Sequence, residues 1–422
     1  MLQFFKDVIS ELLIRFRSSI FARNVAKLGL GTALAQGISL LTMPILAHFY
    51  TPHDFGVLAL FSAVSSIVAT IVTLRYETTL LLPKSQNIAA GLLRLIQWLI
   101  LFSGLVLVFL ILLLPSAIIA YLGLGALGYW LLMAVVAGMG SALLTTYSIW
   151  LSRNSLYTEM SRARVIQGIV AALFSFVGAW FGWGQGLILA QFIGVFSVVF
   201  FMVWHVYPIS NGNVYLLHIA KKFRTAPQYL LPTAFLDVLT QQLPVFLITL
   251  WFGSLQAGQF SMAWRVLVIP IQLISAAVGQ VFFQQFSQAW PNKKKARKIL
   301  FSTWKWLSLI SVLPFGIVFI GGGWIFPVVL GPRWQGAGII AMYICPMLLA
   351  MFISSPCSSA LLTMGGRGII PVFGFASLVY RPLALFIGHA YGSLYVGLVL
   401  LTLAEIVQIL AYNTAIFYRI KE

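Results

Sequence analysis

The chain has 422 residues, 61% of them hydrophobic and 8% charged, with a mean hydropathy of +0.99. A soluble domain carries about 25% charged residues, so this composition excludes a water-facing surface and makes lipid the main solvent. The net charge of +18, from 26 Lys and Arg against 8 Asp and Glu, would suggest nucleic acid in a soluble protein; without a soluble domain to hold such a site, it points to loops beside anionic lipid.

The first 26 residues form the first element. Leu2, Phe4, Phe5, Val8, Ile9, Leu12, Leu13 and Phe16 recur at helical spacing, with Lys6, Arg15, Arg17 and Arg23 between them. This predicts an amphipathic helix on the cytoplasmic face, not a cleavable signal. A hairpin follows, climbing through Leu28–Phe49, turning at Thr51-Pro52-His53-Asp54-Phe55-Gly56 and returning through Val57–Leu74 to Arg75-Tyr76-Glu77. Each limb can cross a bilayer, since about 20 apolar residues rising about 1.5 Å each span the hydrocarbon. Further apolar runs lie near 92–114, 127–151, 165–183, 186–207, 229–251, 259–286, 299–320, 336–357, 368–389 and 392–417. The chain is therefore read as an all-α integral membrane protein with about twelve spans.

Basic residues set the orientation. One series of loops holds Lys84, Arg94, Arg153, Arg162, Arg164, Lys221, Lys222 and Arg224, then Lys293–Lys298, Arg367, Arg419 and Lys421. The alternate loops hold Arg333 alone. The positive-inside rule then places both termini in the cytoplasm. The longest outer loop, near 321–335, is expected to be about 15 residues, too short for a separate domain, with Gly321-Gly322-Gly323 a flexible part of it. Cys345 and Cys357 lie in one apolar run about 120° apart on a helix, a poor placement for a disulfide.

The second half opens as the first does. Lys222-Phe223-Arg224 leads into a run ending at Trp251-Phe252-Gly253, a turn at 254–258, and a second run. Pro44 precedes Gly56 much as Pro244 precedes Gly258. Two lobes of six spans each, related by a parallel repeat, would enclose a central cavity and rock about it. The expected divisions are residues 1–26 as the amphipathic helix, 27–207 as the N-lobe, 208–228 as a cytoplasmic connector and 229–422 as the C-lobe.

At four places the sequence resembles the Wzx-type polysaccharide flippases. These are Thr51–Gly56, Leu74-Arg75-Tyr76-Glu77, Gly258…Phe260, and Gly331-Pro332-Arg333-Trp334-Gln335-Gly336-Ala337. That family belongs to the multidrug/oligosaccharidyl-lipid/polysaccharide (MOP) exporter superfamily, with the MATE exporters and lipid II flippases. The resemblance implies a MATE-like fold in a bacterial inner membrane and transport of undecaprenyl-pyrophosphate-linked oligosaccharide units to the periplasmic leaflet. It implies surface-polysaccharide (O-antigen or capsule) synthesis, membrane lipids as surroundings, and a polymerase and chain-length regulator as partners. No nucleic acid, metal or organic cofactor is expected, and H⁺ or Na⁺ is the candidate coupling ion.

Charges within spans cost about 2.5–3.5 kcal/mol or more each at the centre and tend to face a cavity. Four qualify: Asp237, Arg265, Arg381 and Glu405. Arg265 and Arg381 could offer guanidinium forks to a pyrophosphate or anionic sugar. Alternatively Arg265 pairs with Asp237 and Arg381 with Glu405. In the superfamily, basic residues of the cavity are implicated in binding the lipid-linked anion, and Arg265 lies in the span where one is expected. Arg75 could gate the cytoplasmic mouth or merely snorkel; Glu77 could orient it or take up a proton. Residues two apart do not face each other on a helix, so Arg75 and Glu77 are not expected to pair. Asp237 and Glu405 either bind a coupling ion or balance the arginines.

The remaining features read as structural. Asp54 caps the helix after Thr51-Pro52, and His48 and His53 lack metal-binding partners. Tyr50, Trp150, Trp204, Trp251, Trp324 and Trp334 sit near span ends as headgroup anchors. Two other functions stay open: a cation-coupled drug exporter, disfavoured by the lack of a deep carboxylate in the first half, and a membrane polymerase or glycosyltransferase. The latter needs an outward acidic pair, and Asp54 alone is outside, so no catalytic residue is assigned.

Overall fold

A computed structural model describes residues 20–206, 216–290, 292–364 and 370–421. Among them lie twelve helices long and apolar enough to cross a membrane. In chain order they are α1 (Ile20–Phe49), α2 (Pro52–Val72), α3 (Gln86–Leu113), α4 (Trp130–Arg153), α5 (Tyr157–Trp180), α6 (Gly186–Val206), α7 (Leu231–Phe252), α8 (Ser254–Ala289), α9 (Lys293–Leu330), α10 (Gln335–Ser354), α11 (Ile370–Ala390) and α12 (Leu394–Lys421). Each coincides with one predicted span. Residues 1–19 of the expected N-terminal amphipathic segment lie outside the described residues, as do 207–215 at the start of the connector, while residues 20–26 open α1.

Two compact units emerge. One takes in the chain up to Met43, Val64–Leu113 and Leu132–Pro232; the other holds Pro44–Ala63, Leu114–Leu131 and Thr233–Glu422. In the first, small residues allow helices to approach, as at Gly138, where a Cβ would lie 2.7 Å from the Val68 side chain. The Ser65 hydroxyl donates to the Ala134 carbonyl at 2.9 Å. In the second, Phe282, Phe286, Leu300, Ile416 and Ile420 form a buried cluster from α8, α9 and α12, and the Thr402 hydroxyl donates to the Tyr343 carbonyl at 2.9 Å.

Two predicted loops are helix instead. Gly321-Gly322-Gly323 lies inside α9, because a Cβ on Gly322 or Gly338 would press against the other's carbonyl. The glycines serve close helix crossing, and the loop shrinks to Gly331 and a 3-10 turn at Pro332–Trp334. The turn expected at 254–258 shrinks to Gly253, whose φ of 86° reverses the chain in one residue. Three predicted headgroup anchors are core residues: Tyr50, Trp150 and Trp334 are all buried. Trp204 and Trp324 are exposed, while Trp251 stacks on His389 at 5.7 Å.

Candidate substrate-binding site

Three of the four resembling pieces meet at the corner between α1 and α2. Thr51 and Asp54 form a reciprocal cap: the Thr51 N–H and hydroxyl donate to Asp54 Oδ2 at 2.8 and 2.7 Å, and the Asp54 N–H donates back at 3.3 Å. With the Thr51 N–H so engaged, the Ala47 carbonyl lacks its helical donor, and Trp334 Nε1 supplies one at 2.9 Å. The indole meets Phe55 edge-on at 5.2 Å. Backbones touch at Gly56 and Gly258: a Cβ on Gly258 would overlap the Pro52 carbonyl oxygen, and one on Gly56 the Ser254 carbonyl oxygen. Burial, then the Asp54 charge, pushes the Tyr50 phenol up to about 12. The Asp54 carboxylate is thus committed to capping, as the sequence suggested.

The fourth piece ends α2. Leu74 and Arg75 are left-handed, with φ of 48° and 61°, so the chain leaves the helix before a 3-10 turn at Tyr76–Leu81. That overturns the expectation that Arg75 and Glu77 stay apart: Arg75 Nη1 lies 3.2 Å from Glu77 Oε1. The helical-face argument fails because the two residues no longer share a helix. Glu77 is 2% exposed, and its Oε2 and the Arg75 Nε lack hydrogen-bond partners among the described residues. The turn is held by Arg153, which donates to the carbonyls of Leu80 and Pro83 at 3.0 and 2.5 Å. The Tyr76 hydroxyl donates to the Ala220 carbonyl at 3.1 Å.

The four in-span charges divide unevenly. Arg381 Nε donates to Glu405 Oε1 at 2.6 Å, and its Nη1 donates to the Thr240 carbonyl at 2.7 Å. That carbonyl is available because Pro244, four residues on, has no N–H to offer it. Ser377 and Gln408 exchange hydrogen bonds at 3.0–3.1 Å alongside, with the Tyr380 hydroxyl 3.5 Å from Ser377 Oγ. A polar seam therefore joins α11 to α12 and reaches α7. Asp237 is exposed and accepts from Gln241 at 3.2 Å, so the alternative Arg265–Asp237 pair is not made. Arg265 is half-buried and has neither an ion pair nor a hydrogen bond among the described residues. Counted from the true start of α8 at Ser254, it lies about 16 Å along the helix, deeper than a turn ending at Gly258 implied.

Sequence reasoning missed the Thr240 carbonyl, Ser377, Tyr380 and Gln408. Pro244 was the available signal for the first. The helical spacing of 377, 380 and 381 against 405 and 408 would have found the rest. No cluster of three or more His, Cys, Asp or Glu able to hold a metal occurs among the described residues.

The family model for polysaccharide biosynthesis proteins matches residues 45–363. The succinoglycan biosynthesis transport protein ExoT of Rhizobium meliloti (strain 1021) is 22% identical over 413 residues, covering 94% of this chain and 80% of that protein. The lipopolysaccharide biosynthesis protein WzxC of Escherichia coli (strain K12) is 22% identical over 189 residues, covering 44% of this chain and 38% of that one. Among solved structures, the lipid II flippase MurJ superposes with a TM-score of 0.70 at 14% identity, covering 92% of this chain and 87% of that one. An inward-facing MATE-family transporter of the MOP superfamily gives 0.64 at 14% identity, covering 93% and 96%. The likeness to both is one of fold. With three quarters of its length inside the family match, this multi-pass membrane protein belongs to the polysaccharide biosynthesis protein family.

Proposed function

We propose that the chain flips undecaprenyl-pyrophosphate-linked oligosaccharide units across the bacterial inner membrane by alternating access, with no chemical transformation of the cargo. The observation that carries this reading is Arg265: a permanent cation deep in a membrane-crossing helix, half-buried, with no acidic partner among the described residues. Leaving such a charge uncompensated costs several kcal/mol, which an anionic cargo would offset. Its planar donors suit phosphate oxygens. Arg381 is already held by Glu405 and the Thr240 carbonyl, so it serves as a fixed cation beside the cargo, with Glu405 as charge balance. Asp237 stands apart as an exposed carboxylate.

The test uses a strain whose surface polysaccharide depends on this protein. Arg265→Ala at normal protein level should abolish surface polysaccharide and trap lipid-linked units in the inner leaflet, with Arg265→Lys only partly active. Full surface polysaccharide with Ala would remove Arg265 from the site.

We assign coupling to H⁺ to Glu77, whose buried carboxylate has one oxygen on Arg75 and one without a hydrogen-bond partner among the described residues. Taking up a proton would release Arg75 at the mouth of the transport path. Glu77→Gln should make transport insensitive to the proton gradient; a gradient dependence equal to wild type would exclude this role.

A further inference from the structure

Tyr76 stands between Arg75 and Glu77, and its hydroxyl leaves their turn for another part of the chain. It donates to the Ala220 carbonyl at 3.1 Å. Ala220 lies in the last turn of a short helix, Leu216–Lys222, where carbonyls have no helical donor of their own. That helix belongs to the segment joining α6 to α7. It packs against α3, with Ile219 buried. Beyond it, Ala226 is fully buried and opens a π-helical stretch, Ala226–Leu230, that packs against the Tyr76–Leu81 turn. There the Leu231 N–H reaches back five residues to the Ala226 carbonyl. Helix α7 starts at Leu231, so the chain enters it directly from a stretch seated on the turn. Single π turns recur at functional sites.

The turn moves as a piece. The Arg75 carbonyl accepts from the Thr78 N–H at 3.3 Å and the Thr78 hydroxyl at 2.8 Å. The Tyr76 carbonyl accepts from the Thr79 hydroxyl at 2.7 Å. Backbone rotation at Arg75 therefore carries Tyr76 with it. Arg75 is held in the left-handed region at an energetic cost, and its ion pair with Glu77 helps to hold it there. We infer that Tyr76 is a positioning residue, which passes the state of the Arg75–Glu77 pair to the segment entering α7. The inference rests on the Glu77 coupling reading above. A proton on Glu77 breaks the pair, Arg75 relaxes, and the Tyr76 hydroxyl leaves Ala220.

Hydrogen–deuterium exchange of the full-length protein in lipid nanodiscs, at one pH, reads the amides of residues 216–226. Tyr76→Phe removes one hydroxyl and should speed their exchange roughly 2- to 10-fold, the span expected for one net hydrogen bond. Amides of Thr51–Gly56 should not change. Glu77→Gln, which fixes the uncharged state, should speed the same connector amides, and adding Tyr76→Phe to it should bring little more. Transport by Tyr76→Phe should persist, with its dependence on the proton gradient reduced several-fold; a merely structural tether would leave that dependence alone. Unchanged exchange at 216–226 in either single variant, full additivity in the double variant, or wild-type gradient dependence in Tyr76→Phe would overturn the inference. The coupling reading is decided separately: it falls if Glu77→Gln transports with wild-type gradient dependence, whatever the exchange shows.

Discussion

The two ends of α2 are built on opposite principles. At its start, Thr51 and Asp54 cap each other, Trp334 closes the Ala47 carbonyl, and Gly56 and Gly258 bring two backbones together. Thr51, Asp54 and the Trp334 indole all have partners there, and Phe55 is buried. At its finish, two non-glycine residues are left-handed, a carboxylate is buried, and one oxygen of it has no donor among the described residues. Left-handed conformation costs a leucine or arginine about 1–2 kcal/mol. Strain and unsatisfied charge persist where surrounding structure over-determines them, and they concentrate at working sites. One end of the helix is therefore built to stay; the other holds energy that a change of state can release.

The comparison can be broken most sharply at the start of α2. Gly258→Val would drive a side chain into the Pro52 backbone, which cannot rotate away. The loss should exceed the roughly 1–3 kcal/mol of ordinary overpacking and appear as little folded protein in the membrane. Milder tolerance, seen as near-normal abundance and detergent melting temperature, would mean the backbones are not locked. At the finish, Arg75→Ala strands the Glu77 carboxylate and should lose about 3–5 kcal/mol, with Arg75→Ala/Glu77→Gln recovering much of it in the same melting assay. The smallest effect has the opposite sign. Leu74→Gly relieves a positive φ but loosens the unfolded chain, so a net gain of no more than about 1 kcal/mol is expected. A clear loss would show that the Leu74 side chain, not the backbone angle, holds the turn.

The spans were legible because twenty-residue apolar runs separated by charged loops have few other readings. The Arg381–Glu405 pair was legible as one of two alternatives because helical rise brought the side chains within reach. Other features depend on tertiary contact that periodicity does not encode. Trp334 looked like a headgroup anchor until the freed Ala47 carbonyl gave its N–H a buried partner. Gly321–Gly323 looked like a loop because glycine serves both flexibility and close crossing, and only the neighbouring Gly338 distinguishes them. Helical spacing does not govern Arg75 and Glu77, because α2 has already ended before them.

Pro244 has a reach beyond its own helix. By withholding one N–H it exposes the Thr240 oxygen, and a guanidinium from α11, itself held by a carboxylate on α12, comes to rest there. Sliding α7 one turn away would strand that oxygen and half-free the cation in a medium with no water to receive either, a penalty of several kcal/mol. Arg381 thus ties α7, α11 and α12 together, and on the proposed transport cycle a motion that keeps their mutual register avoids that penalty.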